Sequence, residues 1–455
     1  MCTARWSRFI ALVAFVSSVP RASAQPPIAF VDVSVIPMDR DRVVEHQTVV
    51  VSGGRIASVG PNAANRAPRD ATVIDGRGKF LMPGLGDAHA HLSTVGGGQA
   101  LAERALTLSA LHGVTMVRSM YTEPHHLAAK DRVDRGELVG PRTMIVSPPL
   151  AGQNTPTPEA ARAAVQSLRG VGYTVGKVMP GLSRATFDTL AAEAKRAGLQ
   201  LVGHIPADVG LSAALASGMG SVEHLDGFLE ALISPNSGMT PTQGGFFGFG
   251  VVGGIDESRI SALVSEVKAS GTVVVPTEHE MELFVSTDSG SVLATRPEMR
   301  YAPQALVAQW VRQKDGFARG VGVTEDRAAR YRNVRRRLIR ELVAAGVPVA
   351  AGSDAFNMFD VPGVGTFNEV ETLAAAGLTP FQALTAATVA VARLMGIEQD
   401  VGTIAAGKAA DLVLLDANPL ADVKNLRRQA GVMVRGRWFT RAELDTELGK
   451  LAAAP

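Results

Sequence analysis

The chain reads as α/β: a (β/α)8 TIM barrel with a small composite β-sandwich domain built from both chain ends. Three observations lead there. Eight short apolar, strand-like runs alternate with helical patterns over residues 85–354. The stretches on either side are β-rich and share one style, which suggests a single domain assembled from both ends. No Gly-rich phosphate fingerprint follows the first run, which argues against an open, doubly wound sheet.

The eight runs are Leu85 to His91, Val114 to Met120, Arg142 to Ser147, Thr174 to Met179, Gln200 to Ile205, Ser221 to Leu225, Thr272 to Thr277 and Val347 to Asp354. Helical patterns lie between them, for example Glu159 to Leu168, Arg184 to Ala197 and Asp326 to Ala345. A long Pro-, Thr- and Gly-rich connection, Pro235 to Gly254, follows the sixth run. Its Phe246, Phe247 and Phe249 are placed either to line an apolar pocket or to pack on the barrel. The basic run Arg335-Arg336-Arg337 falls in a helical pattern and reads as a solvated outer face.

In the flanks, Ile28 to Ile36, Thr48 to Val51, Arg55 to Val59 and Thr72 to Ile74 are strand-like, and Ser52-Gly53-Gly54 reads as a hairpin turn. The style resumes at Asp411 to Asp416 and Gly431 to Arg437. The expected organisation is therefore 25–80 and 399–455 as the β domain and 81–398 as the barrel.

Residues 1–24 stand apart. Arg5 and Arg8 precede an apolar run from Phe9 to Val19, and Ala22-Ser23-Ala24 is a small-residue cleavage pattern. That is a secretory signal, too short for a comfortable membrane span. The expected location is outside the cytoplasm, secreted or periplasmic. Loss of Arg5, Arg8 and Arg21 turns the net charge of +2 into −1, so no global basic field favours nucleic acid. The only cysteine, Cys2, lies in the signal, so the mature chain must be stabilised without disulfides. Stable membrane insertion is not expected, and a homo-oligomer is left open.

The strand ends carry the chemistry. In such barrels the site lies at the C-terminal ends of the strands. The first run ends His89-Ala90-His91. Alternate residues of a strand share a face, so the two imidazoles point together and form a grip for a borderline metal such as zinc. The fourth run carries Lys177, the fifth ends in His204, the sixth in His224 and the eighth in Asp354. Singly, each has an ordinary explanation: a core or surface histidine, a helix-capping aspartate, a solvated lysine. As a set, four of the nine histidines fall at the strand ends of one expected barrel.

These motifs resemble the metal-dependent amidohydrolase superfamily, in the imidazolonepropionase-like branch that includes Xaa-Pro and Xaa-Arg dipeptidases. The resemblance rests on Gly84-Leu-Gly-Asp-Ala-His-Ala-His91, Gly140-Pro-Arg142, Lys177, His204, Val222-Glu-His224, Gly352-Ser-Asp354 and the tail from Gly402 to Asp416. It implies that His89, His91 and Asp354 hold one metal and that His204 and His224 hold the other. Lys177, carboxylated by CO2, would bridge the two. It implies two Zn2+ per subunit and an amidohydrolase cleaving the amide of a dipeptide or N-acyl amino acid by attack of a metal-bridging hydroxide. Asp354 would be the catalytic general base and then acid. An ammonium has no lone pair for a metal, so the bridge needs Lys177 first as neutral amine, against a reference pKa of about 10.4.

The chain departs from the family pattern twice. Val117-Arg118-Ser119 replaces Val-Arg-Asp, and no Gly-Gly-His occurs between Ala151 and Pro158. His46, His112, His125, His126 and His279 match no motif and read as surface or core residues. A single-metal deaminase or cyclic-amide hydrolase is the alternative. Related deaminases show His-x-x-Glu at the fifth strand, whereas His204 is followed by Ile205, Pro206 and Ala207. A non-catalytic relative would have lost ligands, and this chain has lost none.

Cleavage after Ala24 is the expected processing step. N-terminal sequencing of exported protein should begin at Gln25; an intact Met1 there would remove the signal.

Overall fold

The computed structural model describes residues 26–94 and 96–453, so the signal expected at 1–24 lies outside the described residues. Fifteen strands occur among them. Five lie at the start: β1 (Ile28–Val35), β2 (Val44–Ser52), β3 (Arg55–Pro61), β4 (Thr72–Asp75) and β5 (Phe80–Pro83). Seven follow in the middle: β6 (Leu85–Ala90), β7 (Val114–Ser119), β8 (Arg142–Ile145), β9 (Val175–Val178), β10 (Gln200–Gly203), β11 (Ser221–Glu223) and β12 (Val273–Val275). The last three are β13 (Leu412–Leu415), β14 (Gln429–Val434) and β15 (Arg437–Thr440).

The two chain ends share one sheet, in the order β15-β14-β13-β5-β1-β2-β3, with β4 also paired to β1. It branches at β1 rather than forming two separate sheets: Ile28 to Val31 pair with β4, and Ser34 and Val35 with β5. The ends meet where Leu412 to Leu415 run antiparallel to Phe80 to Pro83. The β2–β3 hairpin closes through Gly53 and Gly54, at φ 57° and 72°. Two successive positive φ values suit a two-residue hairpin turn, and glycine supplies them without steric cost. Phe30, Val33, Val49, Ile56, Leu81, Leu412 and Met433 form the apolar face of this sheet.

The middle strands are parallel, in two sheets: β6-β7-β8 and β12-β11-β10-β9. Backbone hydrogen bonds link the sheets on one side, Ser147 N to Val175 O (3.0 Å) and Leu150 N to Lys177 O (2.8 Å). On the other side the eighth run has no regular strand. It is still bonded both ways: Val274 N to Pro348 O (2.9 Å), Ala88 N to Ala351 O (2.8 Å) and Asp354 N to His89 O (2.7 Å). The eight runs thus follow one another around a ring. Helices cover it through apolar stripes. In Arg184–Ala197 the buried residues Phe187, Leu190 and Ala194 recur at helical spacing, and the Ser183 hydroxyl caps the first turn by accepting from Thr186 N. Burying each of the two large side chains stabilises by roughly 1.5–3 kcal/mol. Among the described residues no helix is long and apolar enough to cross a membrane.

The basic run needs a correction. Arg335 is not on a solvated face: it is fully buried, and its guanidinium lies 2.8 Å from Glu278 and donates to the carbonyls of His224 (2.7 Å) and Pro276 (3.1 Å). Each helical residue is rotated about 100° from the last, so one residue of a charged triplet can share the stripe of Tyr331, Val334 and Leu338. Arg336 and Arg337 lie beyond that stripe and pair with Glu282 and with Glu257 and Glu341.

Arg335→Met should therefore destabilise by about 3–5 kcal/mol, because it strands the buried Glu278 carboxylate. Arg336→Ala should cost about 1 kcal/mol or less. Denaturant midpoints compare the two; equal losses would return Arg335 to the surface.

Candidate metal centre

The sequence-predicted residues converge at the C-terminal end of the ring. His89 lies one residue before the end of β6 and His91 one residue after it; their rings lie 5.6 Å apart. Asp354 arrives from the eighth run, with Oδ1 3.2 Å from His89 Nε2 and 2.8 Å from His91 Nε2. His224, just past β11, lies with its ring 4.6 Å from His89 and 5.0 Å from His204. Lys177 in β9 is 2% exposed, which removes the solvated-lysine explanation. Gly203 lets β10 pass close to it: a Cβ there would stand 2.4 Å from Val178 O and 3.1 Å from Lys177 Cδ. All six residues are thus gathered on one side of the ring.

The backbone is distorted to present two of them. His224 and Asp354 have φ of 61° and 60°, left-handed values that cost non-glycine residues of order 1–3 kcal/mol. Neighbours hold them there. Arg335 donates to His224 O, and Asp354 N donates to His89 O. Asp87, fully buried, ties the first run to the eighth: it accepts from Ser353 N (3.0 Å), Ser353 Oγ (2.5 Å), Thr366 Oγ1 (2.9 Å) and His89 N (3.1 Å).

Hydrogen bonds also set which nitrogens face inward. His89 Nδ1 lies 2.8 Å from Glu223 Oε2, so Nδ1 carries the proton and Nε2 presents a lone pair. Glu223 in turn accepts from Arg118 Nη2 at 2.8 Å and from the Ser221 hydroxyl. Arg118 is itself anchored on Ala88 O (2.6 Å) and Ser221 Oγ (3.0 Å). His224 Nδ1 bonds Thr277 Oγ1 at 2.7 Å, leaving Nε2 free. Glu223, Arg118, Asp87 and Thr277 had no assigned role in the sequence reading. The signal for Glu223 lay within the Val-Glu-His motif, but its partner His89 is 134 residues away and only the ring brings them together.

Electrostatics complete the picture. Burial holds His204 below its ordinary pKa and His224 well below it, so both are neutral, as metal ligation needs. Burial would raise the Asp354 carboxyl, but His89, the adjoining Glu280 carboxyl and His91 hold it well below the usual range. Burial would raise Glu223 too, but Arg118 and His89 bring it down to about 2. Burial lowers the Lys177 amine to about 8, against the pull of Glu223 and Asp354. The fit to a metal rests on orphaned atoms. His89 Nε2, His204 Nδ1 and Asp354 Oδ1 are buried without a hydrogen-bond partner. His204 Nδ1 lies 3.3 Å from Asp226 Oδ2 but is not aligned to bond it. Leaving such atoms unpaired costs about 1–3 kcal/mol each. Convergent, neutral imidazole and carboxylate donors are what a metal ion would satisfy.

The family model for the amidohydrolase family matches residues 80–439. The chain belongs to the amidohydrolase family. Among curated relatives, an adenine deaminase of Ruegeria pomeroyi is 30% identical over 202 residues, which is 40% of this chain and 32% of that protein. The chain thus spans about a third of the length of that relative, and less of others it matches. Among solved structures, bottromycin amidohydrolase is 26% identical, with TM-score 0.68, covering 94% of this chain and 90% of that one. A Xaa-Pro dipeptidase with bound methionine in its active site shares the fold at 20% identity, TM-score 0.65, over 91% of this chain and 100% of that one. The sheet shared by the two chain ends is separate from the two parallel sheets of the middle strands.

Two other features surround the centre of this amidohydrolase. Glu123, His125 and His126 cluster with Ser93, one Tyr121 ring from His91 (6.2 Å between centroids). A cavity of about 920 Å³ opens beside His204 and Asp226, walled by Met179, Ile205, Phe246 and Phe247. Phe249 does not reach it and packs on Phe317 and Tyr331. A cavity of about 910 Å³ lined by Thr174, Val273 and Val347 touches none of the chemical residues.

Because Glu223 orients His89, Glu223→Gln should weaken metal binding about 10–100-fold. Competition with a chromophoric chelator measures this. Unchanged affinity would show that His89 needs no such partner.

Proposed function

We propose that this amidohydrolase is a metal-dependent C–N hydrolase that cleaves the amide bond of a dipeptide or N-acyl amino acid. One observation carries the reading. The orphaned donors of His89, His204 and Asp354 and the buried Lys177 gather at one end of the ring, and one of them, His204, lines a cavity of about 920 Å³, large enough for such a substrate. Under this reading His89, His91 and Asp354 hold one Zn2+ and His204 and His224 a second. Lys177, carboxylated, would be their shared ligand. The lowered Lys177 pKa supports that step, because about a tenth of the amine is then neutral at pH 7, far more than at the ordinary lysine value, and can take up CO2.

Bound metal ions supply Lewis acidity, which acidifies water and polarises a carbonyl. The chain's own residues do the rest. Asp354 stays ionised at neutral pH and is placed to accept a proton at its carboxylate and to return it to the leaving amine. Glu223 and Thr277 hold the imidazoles of His89 and His224 in one orientation. Phe247 lies 4.8 Å from the His224 ring and 5.8 Å from the His204 ring, and sets an apolar ring against that side. The mature enzyme is proposed to act outside the cytoplasm, on the strength of the N-terminal pattern.

A second reading, deamination of a purine-like ring, is favoured by the adenine deaminases among the relatives. Against it, Ala207 stands where related deaminases carry a glutamate after the fifth strand.

The test is a panel of dipeptides, N-acyl amino acids, cyclic amides and adenine, with metal content measured on the same protein. Amide hydrolysis with about two metals per chain is expected. Lys177→Ala should lose activity and metal, and acetate or formate should restore part of both. Adenine turnover without amide hydrolysis would overturn the reading. Two metals and normal turnover in Lys177→Ala would end the bridging role alone.

A further inference from the structure

Glu280 has no part in the ligand set above, yet it faces the same point. The helix Glu278–Val285 starts directly after the seventh run, from Thr277 at φ 43°. Its first turn is wholly committed to the ring end. Glu278 pairs with Arg335, His279 N donates to Glu369 Oε2 at 2.8 Å, and Glu280 is fully buried. Among the described residues Glu280 is the only carboxylate with both oxygens buried and neither making an aligned hydrogen bond, although its carboxyl lies directly against that of Asp354. One of those oxygens forms a group with a ring nitrogen of His224 and an oxygen of Asp354, all within 4.8 Å of one another.

The surrounding arginines are each paired with another carboxylate: Arg335 with Glu278, Arg118 with Glu223 and Arg296, whose Nη1 has no partner, with Glu298. His89 and His91 approach the other carboxylate, Asp354. Two buried carboxyl groups side by side repel unless a positive species sits between them, either a proton or a metal ion. The imidazole of His224 in the same group distinguishes these. A shared proton needs only the two carboxyls, whereas a metal uses all three donors.

We propose that Glu280 is a further carboxylate ligand of the metal centre, joining it from the end of the seventh run beside His224 and Asp354. This rests on the centre being a metal site, as the proposed hydrolase function requires. It makes the donor set richer in oxygen than the motif residues alone, and it gives an otherwise isolated buried acid a partner.

Glu280→Gln is the discriminating variant. A glutamine can replace a protonated carboxyl as a hydrogen-bond donor to Asp354, but it is a poor metal ligand. In the purified full chain, Zn2+ affinity is measured by competition with a chromophoric chelator. Glu280→Gln should weaken the affinity at least about tenfold, with an unchanged circular dichroism spectrum. Wild-type affinity in Glu280→Gln would overturn the assignment in favour of a shared proton. His89→Ala is measured alongside. If it too leaves Zn2+ binding intact, the metal-centre reading itself fails, and that failure is separate from the fate of Glu280. Should Glu280→Gln not fold, anomalous scattering from crystals of the zinc-loaded wild type decides. A Glu280 oxygen about 2.0–2.2 Å from zinc supports the assignment, and one beyond about 3 Å overturns it.

Discussion

The structure is organised around a shortage of positive charge at one end of the ring. Asp354, Glu280, Asp360 and Glu369 are all buried there, and each keeps at least one oxygen without a partner. Fixed cations answer only part of it, through Arg335 on Glu278 and Arg118 on Glu223. Burying charge without compensation is among the most unfavourable things a fold can do. A chain that tolerates it at one point, and surrounds that point with neutral imidazoles, is arranged to receive a cation.

That arrangement explains features that would otherwise be liabilities. His224 and Asp354 take left-handed backbone angles, and each is held by bonds from a different element. Asp87 spends its acceptor capacity joining the first run to the eighth, where the ring has no regular strand pairing. Arg335 reaches from a covering helix through the wall to the carbonyl of His224. The strain is local, and the support comes from residues that never touch a substrate. Rigidity at the centre is thus produced by the wall, which keeps the few donors in register.

How far this was legible in the sequence depends on the range of each interaction. The metal-facing residues were readable because each lies at the end of an apolar run, and strand periodicity fixes where such ends point. The hairpin at Gly53 and Gly54 was readable for the same local reason. What escaped was non-local. Arg335 looks like its neighbours Arg336 and Arg337, and only the orientation of the helix against Glu278 separates them. Glu223 adjoins a recognised histidine, yet its partner His89 is on another strand. Glu280 carries no motif, and its significance comes from the absence of partners, which no sequence displays. Of the three phenylalanines in the long connection, Phe246 and Phe247 face the cavity and Phe249 packs inward, a choice made by the two 3-10 turns of that segment.

The two sides of the centre differ in polarity, and that difference constrains how an amide could lie across it. On the His204 and His224 side, Phe247 stacks on the His204 ring and lies tilted against that of His224, and the cavity beside it is walled in part by methionine, isoleucine and phenylalanine. Charged groups also line it, Arg184, Asp226, Arg259 and Glu230, and burial raises the Glu230 carboxyl to about 7, with Asp226 adding to the effect. On the His91 side the neighbours are Tyr121, Glu123, His125, His126 and Ser93. Transfer of an apolar group into the first region is favourable by roughly 25 cal/mol per Å² removed from water, whereas the second offers hydrogen bonds and no comparable apolar wall. Under the proposed function, a substrate with one apolar and one polar flank would be oriented by this contrast, its amide lying over the metal donors and its apolar flank in the cavity. Orientation would then come from the asymmetry of the walls, and reactivity from the centre between them.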